Sequence, residues 1–273
     1  MEKEWRLLKD GLRDGASNMA LDETMLWAGI KRLIRPTLRL YGWSRPTVSI
    51  GYAQDARKDI DLERCQELDL GLVRRPTGGR AVLHEHELTY SLVAPEKVFS
   101  KPSSILEIYK EISGALIAGL SLLGIEAQLV PVQRSKMPPS AFCFSSPSAY
   151  EVAVQGNKLV GSAQKRSRGY VLQQGSIIID IDQGKLAAIF KHSSPRSCSA
   201  MTSINEVRED LVEFTTLQEA IQEGFCLAWG IRFLEEGLTS YETRVAQELE
   251  QRKYQLPQWN LTRPRFSYDP GPV

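Results

Sequence analysis

The spacing of apolar residues predicts paired strands in the first third of the chain. TLRLYGW and TVSIGY alternate as strands do, and Ser44-Arg45-Pro46 between them is a turn signal. LTYSLVAP alternates in the same way and places Leu88, Tyr90 and Leu92 on one face. Each of these predicted strands therefore has one face suited to a hydrophobic core.

Helical spacing appears between and after the strands. SNMALDETMLWAGIKRLI has apolar residues at helical intervals, and Ser17 or Asn18 is its predicted N-cap. DLERCQELDLG predicts a short helix that ends at Gly71 and carries Cys65 on its apolar face. SSILEIYKEISGALIAGLSLLG is the longest predicted helix, capped by a serine and ended by Gly124. Further helices are predicted around 185–190, 216–229 and 241–254.

The second half of the chain contributes more predicted strands. IEAQLVPV and YVLQQGSIIIDI read as strands, and SAYEVAVQGNKLVGSAQK reads as a hairpin that turns at QGN. The tail RPRFSYDPGPV is rich in proline, so residues 261–273 are predicted to be loose. Strands in pairs, without strict βαβ alternation, predict an α+β (mixed α/β) fold with mixed sheets flanked by helices.

Composition and charge narrow the functional classes. The chain has 273 residues and a formal net charge of +1, which argues against a general nucleic-acid binder but not against a local basic site. No apolar run approaches the ~18 residues of a membrane span, and the mixed-charge N-terminus is no signal peptide. The four cysteines show no C-x-x-C spacing. We therefore expect a cytoplasmic protein with reduced thiols, without disulfides or zinc.

RRPTGGRAVLHEHELTYS, from Arg74 to Ser91, concentrates the candidate chemistry. Thr77-Gly78-Gly79 allows close approach to the backbone, and Arg74, Arg75 and Arg80 flank it. Backbone N–H groups with arginines suit a phosphate or a carboxylate-like acceptor, although a charged surface turn has the same composition. The stretch matches neither a P-loop nor a dinucleotide-binding glycine motif.

His84 and His86 form an H-x-H pair in the same stretch, and they would point the same way on an extended segment. Such a pair can bind a metal, but no third ligand is obvious and His192 lies about a hundred residues away. An ordinary hydrogen-bonded histidine beside a pocket is the favoured interpretation. We therefore predict no metal site.

Several motifs, in the same order, resemble those of the biotin/lipoate protein ligase and lipoyl/octanoyl transferase superfamily. RRPTGGRAVLH resembles the signature R-R-x-x-G-G-[GR]-x-V-x-H, and SNMALDE, RLYGW and SIGY resemble its first helix and early strands. NKLVGSAQKRSRGYVLQQGSI resembles the segment with the essential lysine, and WN near the end also fits. The resemblance covers roughly residues 5–260. It implies the catalytic-domain fold of that superfamily, as a single domain over 1–273 with its core at about 30–250.

Within the superfamily, FCFSSPSAYEVAVQGNK is similar to the cysteine–lysine segment of the lipoate-ligase-like octanoyl-[acyl carrier protein]:protein N-octanoyltransferases. Cys143 lies fifteen residues before Lys158. The resemblance implies that Cys143 carries the acyl group as a thioester and that Lys158 lowers the pKa of its thiol. It implies octanoyl-acyl carrier protein as donor and a lipoyl-domain protein as acceptor, such as glycine cleavage H protein or a 2-oxoacid dehydrogenase E2 subunit. Neither ATP nor a metal is expected.

The remaining candidate residues are assigned to substrate binding by the same resemblance. Gly78 and Gly79 would line the acyl pocket, with His84 against its wall. Arg75 and Arg80 would anchor the loop or meet the acidic carrier protein. Gly161, Ser162 and Ala163 would let the acyl chain pass close to the backbone. The apolar walls expected for an eight-carbon chain are Val82, Leu83, Val160 and Ala163.

Alternatives remain open from the residues themselves. Between Phe142 and Phe144, Cys143 has the surroundings of a buried structural thiol, and Lys158 after a turn has those of a solvated surface charge. The chain could instead transfer octanoyl or lipoyl groups between two lipoyl-domain proteins, or ligate lipoate with ATP. A catalytically inactive binding subunit would keep the fold without turnover, and the intact cysteine–lysine pair argues against it.

Overall fold

The computed structural model describes residues 3–102, 104–130, 151–191, 200–208, 210–262, 265–268 and 271. Its strands are β1 (Glu4–Arg13), β2 (Thr37–Trp43), β3 (Thr47–Ile50), β4 (Gly71–Arg74), β5 (Val82–His84), β6 (Glu87–Pro95), β7 (Gln128–Leu129), β8 (Val152–Val154), β9 (Asn157–Ser167), β10 (Tyr170–Ile178) and β11 (Arg232–Glu235). Its α-helices are α1 (Gly15–Ile30), α2 (Ala56–Asp59), α3 (Leu62–Glu67), α4 (Ile105–Leu122), α5 (Gln183–Ile189), α6 (Ile204–Val207), α7 (Phe214–Trp229), α8 (Ser240–Leu249) and α9 (Pro257–Thr262). A 3₁₀ turn covers Glu96–Val98, and a π-helical turn, Glu250–Tyr254, follows α8.

The strands form two mixed sheets. Eight strands pair in the order β11-β1-β2-β6-β10-β9-β8-β7, and three pair in the order β4-β3-β5. In the large sheet β1 runs parallel to β11 and to β2, whereas β2, β6, β10, β9, β8 and β7 pair antiparallel in succession. In the small sheet β3 is parallel to β4 and antiparallel to β5. The α+β class with mixed sheets is confirmed.

The two faces of the large sheet have different chemistry. Leu88, Tyr90 and Leu92 of β6 point into the main hydrophobic core, which α4 and α7 complete, as their alternation predicts. The alternate residue Ser91 points the other way, where its hydroxyl donates to Asp22 of α1 (2.8 Å). Polar side chains are therefore gathered on the α1 side of the sheet, and this side carries the candidate site.

The helix ends confirm the predicted boundaries of α4 and correct those predicted for α1 and α3. Ser104 caps α4 and Gly124 after it has φ +73°, as expected. The prediction for the start of α1 is wrong: the cap is Asp14, whose carboxylate accepts from the Ser17 backbone N–H (2.8 Å). Gly71 is the first residue of β4 rather than a helix end, since α3 ends before Asp69, which takes a left-handed conformation (φ +52°).

The C-terminal region is more ordered than its prolines suggest. Residues 257–262 form α9, and Trp259 is buried in a cluster to which Phe266 and Tyr268 also pack. The Tyr268 hydroxyl donates to Glu248 (2.7 Å). The described residues Phe266 and Tyr268 therefore contact α9 and α8. The strand expected in IEAQLVPV is limited to β7 within the described residues, and no described helix is long and apolar enough to cross a membrane.

Helices α4 and α7 cross at two glycines, and this contact gives a test of the packing. A Cβ at Gly224 would lie 2.3 Å from the Gly119 backbone nitrogen, whereas one at Gly114, in the same helix as Gly119, would meet nothing within 4 Å. We expect Gly224→Ala to lower the free energy of unfolding by about 1–3 kcal/mol through overpacking. Gly114→Ala should raise it by up to about 1 kcal/mol through helix propensity. Urea unfolding measures both, and equal effects would contradict the close crossing.

Candidate active site

A small cavity of about 30 Å³ lies where the small sheet faces the α1 side of the large one. Its walls bring together several residues singled out in the sequence, namely Arg75, Val82, His84, Gly161, Ser162 and Ala163. Met19, Tyr41, Trp43, Ser49, Thr89, Gln174, Gly175 and Ser176 complete the walls. Of the apolar walls expected, Val82 and Ala163 are present. Val160 instead belongs to the main core, and Leu83 lines a neighbouring cavity.

Arg75 holds the glycine loop in place from the inside. Its guanidinium donates to the carbonyl oxygens of Gly78 (2.8 Å) and Arg80 (2.6 Å), and to the Ser49 hydroxyl (3.0 Å). The side chain is only 5% exposed. Of the two roles suggested for it, Arg75 therefore anchors the loop, and burial prevents it from meeting a carrier protein.

Two glycines let the loop pass tightly over the end of β3. A Cβ at Gly51 would lie 1.8 Å from the Gly79 carbonyl oxygen, and Gly79 itself has φ +84°. A Cβ at Gly78 would meet nothing within 4 Å, so the loop is open there. The Thr77 hydroxyl donates to Gln174 of β10 (2.7 Å) and ties the loop to the large sheet. Gly51 was missed from the sequence, where only a glycine after TVSI marks it.

Arg74 is fully buried and binds backbone rather than an anion. Its guanidinium donates to the carbonyl oxygens of Gly51 (3.0 Å), Tyr52 (3.1 Å), Gln54 (2.6 Å), Trp259 (2.9 Å), Asn260 (3.0 Å) and Leu261 (3.5 Å). The Asn260 side chain accepts from the Arg74 backbone N–H (2.9 Å). The anion-binding fork expected at this position is therefore wrong. The arginine instead joins the segment after β3 to the C-terminal WN motif.

His84 is hydrogen-bonded through both ring nitrogens beside the pocket. Its Nδ1 lies 2.7 Å from Glu87, its Nε2 lies 2.6 Å from the Ser49 hydroxyl, and its ring stacks on Trp43 at 4.0 Å. Glu87 accepts further hydrogen bonds from Thr89 (2.5 Å) and from Ser176 (2.9 Å). Because Glu87 can only accept, the His84 Nδ1 carries a proton.

The H-x-H pair does not share one side. The chain turns between β5 and β6, so that His84 is buried whereas His86 is exposed. No group of three or more His, Cys, Asp or Glu side chains arranged to hold a metal occurs within the described part of the chain. The histidine proposed for the pocket wall thus lines the cavity, and its neighbour lies outside it.

A buried network beneath the pocket was missed by sequence reasoning. Asp22 of α1 accepts from Arg39 (2.8 Å), from the Tyr41 hydroxyl (2.9 Å) and from Gln174 (2.5 Å). Burial raises the pKa of Tyr41 well above its ordinary value, so its hydroxyl stays a donor. Because Gln174 also accepts from Thr77, the network positions the glycine loop. Its sequence signal was Asn18 and Asp22 in SNMALDE, polar residues one turn apart that flank the apolar Met19, Ala20 and Leu21.

Lys158 is buried at the start of β9, three residues before Gly161. Its side chain is 2% exposed and forms an ion pair with Glu151, which is 1% exposed. Its backbone is fixed by bonds from its N–H to the Ala200 carbonyl (2.9 Å) and from Thr202 to its own carbonyl (3.0 Å). The surface-charge alternative is therefore wrong. Glu151 was missed, although the hairpin register, with Ala153 opposite Lys158, brings it close.

The proposed nucleophile, Cys143, lies outside the described residues, as do His192 and Cys198. The two described cysteines are poor nucleophiles. Cys65 is buried in a hydrophobic cluster, and burial, with a contribution from Asp61, raises the pKa of its thiol to about 11. Burial also raises the pKa of Cys226. The structure therefore gives neither of them the electropositive surroundings that activate a thiol.

These pKa values predict which thiols resist alkylation. At pH 8 a thiol with a pKa near 11 is ionised in about one molecule in a thousand, and this fraction rises about tenfold per pH unit up to the pKa. We expect iodoacetamide to modify Cys65 very slowly at pH 8 and faster with each unit of pH. Peptide mass spectrometry of a pH series measures the rates. Rapid modification of Cys65 at pH 7, without unfolding, would contradict its burial.

Comparison with known proteins agrees with this architecture. The family described as lipoyl protein ligase A/B catalytic domain matches residues 14–226. Octanoyltransferase LipM of Kyrpidia tusciae is 44% identical over 269 residues, which cover 94% of this chain and 98% of that protein. Octanoyltransferase LipM of Bacillus subtilis is 38% identical over 278 residues, which cover 96% of this chain and 100% of that protein.

Solved structures show the same fold. A lipoate-protein ligase A bound with ATP superposes with a TM-score of 0.79 at 25% identity, covering 96% of this chain and 100% of that one. A bi-partite lipoate protein ligase from Thermoplasma acidophilum gives a TM-score of 0.80 at 24% identity, covering 97% and 99%. The fold expected from the sequence motifs is confirmed. The chain belongs to the lipoyl protein ligase A/B catalytic-domain family and, within it, to the octanoyltransferases of the LipM type.

Proposed function

We propose that this acyltransferase moves an octanoyl group from octanoyl-acyl carrier protein, through a thioester on Cys143, to a lysine of a lipoyl-domain protein. The proposed acceptors are glycine cleavage H protein and the E2 subunits of 2-oxoacid dehydrogenases. Support comes from octanoyltransferase relatives that are 38–44% identical over nearly the whole chain. The single structural observation that carries the chemistry is the buried Lys158–Glu151 ion pair.

The first half of the reaction forms the acyl-enzyme. The Cys143 thiolate attacks the carbonyl carbon of the donor thioester, and the tetrahedral intermediate collapses with loss of the carrier's thiolate, which takes up a proton. An ammonium group near the nucleophile stabilises its charged form and so lowers its pKa. An ammonium has three N–H donors, so the ion pair of Lys158 with Glu151 is compatible with a second anionic acceptor.

The second half transfers the octanoyl group to nitrogen. The ε-amine of the acceptor lysine attacks the thioester carbon, the Cys143 thiolate leaves, and one amine proton is lost as the amide forms. Lys158 gives up its proton to the departing carrier thiolate in the first half, so it can take this one in the second. Glu151 fixes the position of the Lys158 side chain through both steps.

In this proposal the acyl chain lies along the β9–β10 backbone that lines the pocket. A Cβ at Gly175 would lie 2.4 Å from Tyr90 and 2.6 Å from the Ser162 hydroxyl, so a larger residue there would displace both. The Tyr90 and Ser162 hydroxyls are 2.7 Å apart, and burial raises the pKa of Tyr90 to about 12. The Tyr109 hydroxyl donates to the Ser162 carbonyl (2.7 Å) and holds this part of β9. These contacts keep the pocket wall fixed when the chain enters.

The proposal needs neither ATP nor a metal, because the donor thioester already supplies the activation that a ligase obtains from adenylation. We also propose that the enzyme acts in the cytoplasm, because a thiol nucleophile reacts only while it is reduced. Arg74 and Arg75, which a nucleotide site would use for phosphate, donate instead to the protein's own groups. The octanoyltransferase relatives, 38–44% identical over nearly the whole chain, favour the transferase over the ATP-dependent ligase.

Intact-protein mass spectrometry tests the proposal directly. The protein is mixed with octanoyl-acyl carrier protein without ATP, and a single hydroxylamine-labile octanoyl adduct is expected on the wild type but not on Cys143→Ala. Cys65→Ala and Cys226→Ala, with poorly reactive thiols, are the matched controls and should acquire the adduct. Addition of a lipoyl-domain protein should then discharge it.

Two other outcomes of this experiment would indicate one of the alternative activities instead. If octanoyl or lipoyl transfer requires ATP and a free acid, and Cys143→Ala keeps it, the enzyme is a ligase. If an octanoylated lipoyl domain charges Cys143 and the carrier protein does not, the enzyme is an amidotransferase between lipoyl domains. Either result overturns the donor named here.

A further inference from the structure

A large groove in the described structure lies away from the pocket and is basic. It has a volume of about 910 Å³ and is lined by the segment after α1, the 3₁₀ turn after β6 and the turn between β9 and β10. Arg32, Arg35, Lys97 and Arg168 supply its positive charge, and all four are exposed. Such a concentration is notable in a chain with a net charge of only +1.

The acidic residues of the groove are already neutralised. Glu96 pairs with Arg166, and Glu236 pairs with Arg35 (2.8 Å). Arg32, Lys97 and Arg168 form no ion pair with any residue that the structure describes. Three uncompensated positive charges therefore face solvent along one groove, which is the surface an acidic partner recognises.

A row of residues on α1 and β9, here called the α1–β9 seam, extends from the acyl pocket toward this groove. Met19 lines the pocket, Glu23 one turn later contacts Lys165 of β9 (3.8 Å), and Trp27 a further turn later lies under the Arg168 guanidinium (5.8 Å). These α1 residues face the same side at i, i+4 and i+8. The seam spans about 12 Å along the helix.

The distance between the groove and the acyl pocket indicates which partner docks on the groove. From Ala163 at the pocket to Arg168 at the groove is about 17 Å along β9. An acceptor lysine reaches only the length of its own side chain, so a lipoyl domain must dock next to the reacting thioester. A carrier protein presents its acyl group on a long flexible arm and can dock farther away. The distance therefore favours the donor.

We propose that the acidic acyl carrier protein docks on the basic groove and extends its thioester-bearing arm along the α1–β9 seam to the pocket. This inference rests on the proposed function, in which that carrier is the donor. It assigns Arg32, Lys97 and Arg168 to recognition of the donor rather than to the chemistry. The acceptor uses a different approach to the same thioester.

The backbone at the groove makes a clean test possible. Arg32 (φ +59°) and Arg168 (φ +49°) both adopt the left-handed conformation, which costs most L residues ~1–2 kcal/mol and which asparagine tolerates better. Replacing them with asparagine removes the charge without opposing the backbone. Loss of function in such a variant cannot then be attributed to a damaged turn.

The experiment compares two triple variants. Arg32→Asn/Lys97→Gln/Arg168→Asn removes the groove charges, and Lys58→Gln/Lys110→Gln/Arg252→Gln removes three exposed charges elsewhere. Acylation of Cys143 is measured with octanoyl-acyl carrier protein and with octanoyl-pantetheine, which carries the thioester without the protein. We expect the groove variant to lose about tenfold in kcat/KM with the carrier protein only. The control variant should resemble the wild type with both donors.

Ionic strength provides a second readout. Wild-type acylation by the carrier protein should slow as salt is raised, and the groove variant should show little of this dependence, because its steering charges are gone. Octanoyl-pantetheine should be insensitive to salt in both proteins. An equal salt dependence in wild type and groove variant would overturn the proposal.

The possible failures are distinguishable. If neither donor acylates the wild type, the proposed function itself is wrong. If both donors acylate the wild type and the groove variant reacts normally with the carrier protein, only the docking site is wrong. If the groove variant is charged normally but discharges slowly to a lipoyl domain, the groove belongs to the acceptor and the proposal is overturned.

Discussion

Lys158→Met is expected to slow acylation of Cys143 about a thousandfold, since it removes both an ammonium that stabilises the thiolate and a group that transfers protons. Methionine keeps the length and apolar stem of the side chain, so the pocket keeps its shape. Single-turnover mass spectrometry with octanoyl-acyl carrier protein measures the rate. A rate within tenfold of the wild type would show that Lys158 is not needed for the chemistry.

The same substitution has a structural cost that must be separated from its catalytic effect. Glu151 is 1% exposed, and removal of its partner leaves a buried charge that costs about 3–5 kcal/mol. Lys158→Met/Glu151→Gln removes both charges and is expected to recover most of the free energy of unfolding, measured in urea. It should not recover the acylation rate. Recovery of both would reduce Lys158 to a structural partner of Glu151.

Arg74→Met is expected to lower the free energy of unfolding by about 4 kcal/mol, because several buried carbonyl oxygens lose their donor at ~1–3 kcal/mol each. These carbonyls belong to the segment after β3 and to α9, which the guanidinium holds together. We therefore also expect the C-terminal segment to loosen, with faster amide exchange over residues 257–262 and in the glycine loop. Hydrogen exchange monitored by mass spectrometry localises this effect.

Arg45→Met is the matched control for Arg74→Met. Arg45 also bonds a backbone carbonyl, that of Asp69 (3.0 Å), and pairs with the Asp69 carboxylate (2.7 Å), but its side chain is 50% exposed. An exposed pair of this kind contributes about 0–1 kcal/mol. If the two variants lose similar stability, burial does not explain the importance of Arg74.

Local sequence signals determined the secondary structure where the signal and the structure share the same few residues. The alternation in LTYSLVAP predicted the core face of β6, and the QGN turn predicted the β8–β9 hairpin, whose turn residues Gln155 and Gly156 have positive φ. The start of α1 was wrong because three polar residues competed for the cap. Asn18 is buried instead and donates to the carbonyl oxygens of Arg13 (3.2 Å) and Gly42 (3.1 Å).

The motifs in the sequence also determined the family, and thereby the fold and the transferase activity. The motifs could not determine the role of each charged residue. Composition makes Arg74, Arg75 and Lys158 look like solvated or anion-binding groups, whereas all three are buried. The partners that decide this lie far away in sequence, as with Arg74 and Asn260, which are 186 residues apart.

Tertiary structure alone decided how the basic residues are divided between two tasks. Arg74 and Arg75 are surrounded by backbone carbonyls, whose desolvation would be costly without donors. Arg75 therefore holds the glycine loop, and Arg74 holds the segment after β3 to α9. Arg32, Lys97 and Arg168 are brought to one groove by three separate turns and stay exposed. An exposed and uncompensated charge is available to steer a partner protein, whereas a buried and paired one is not. The sequence gives the positions of the arginines, and tertiary packing determines which of them are exposed to solvent.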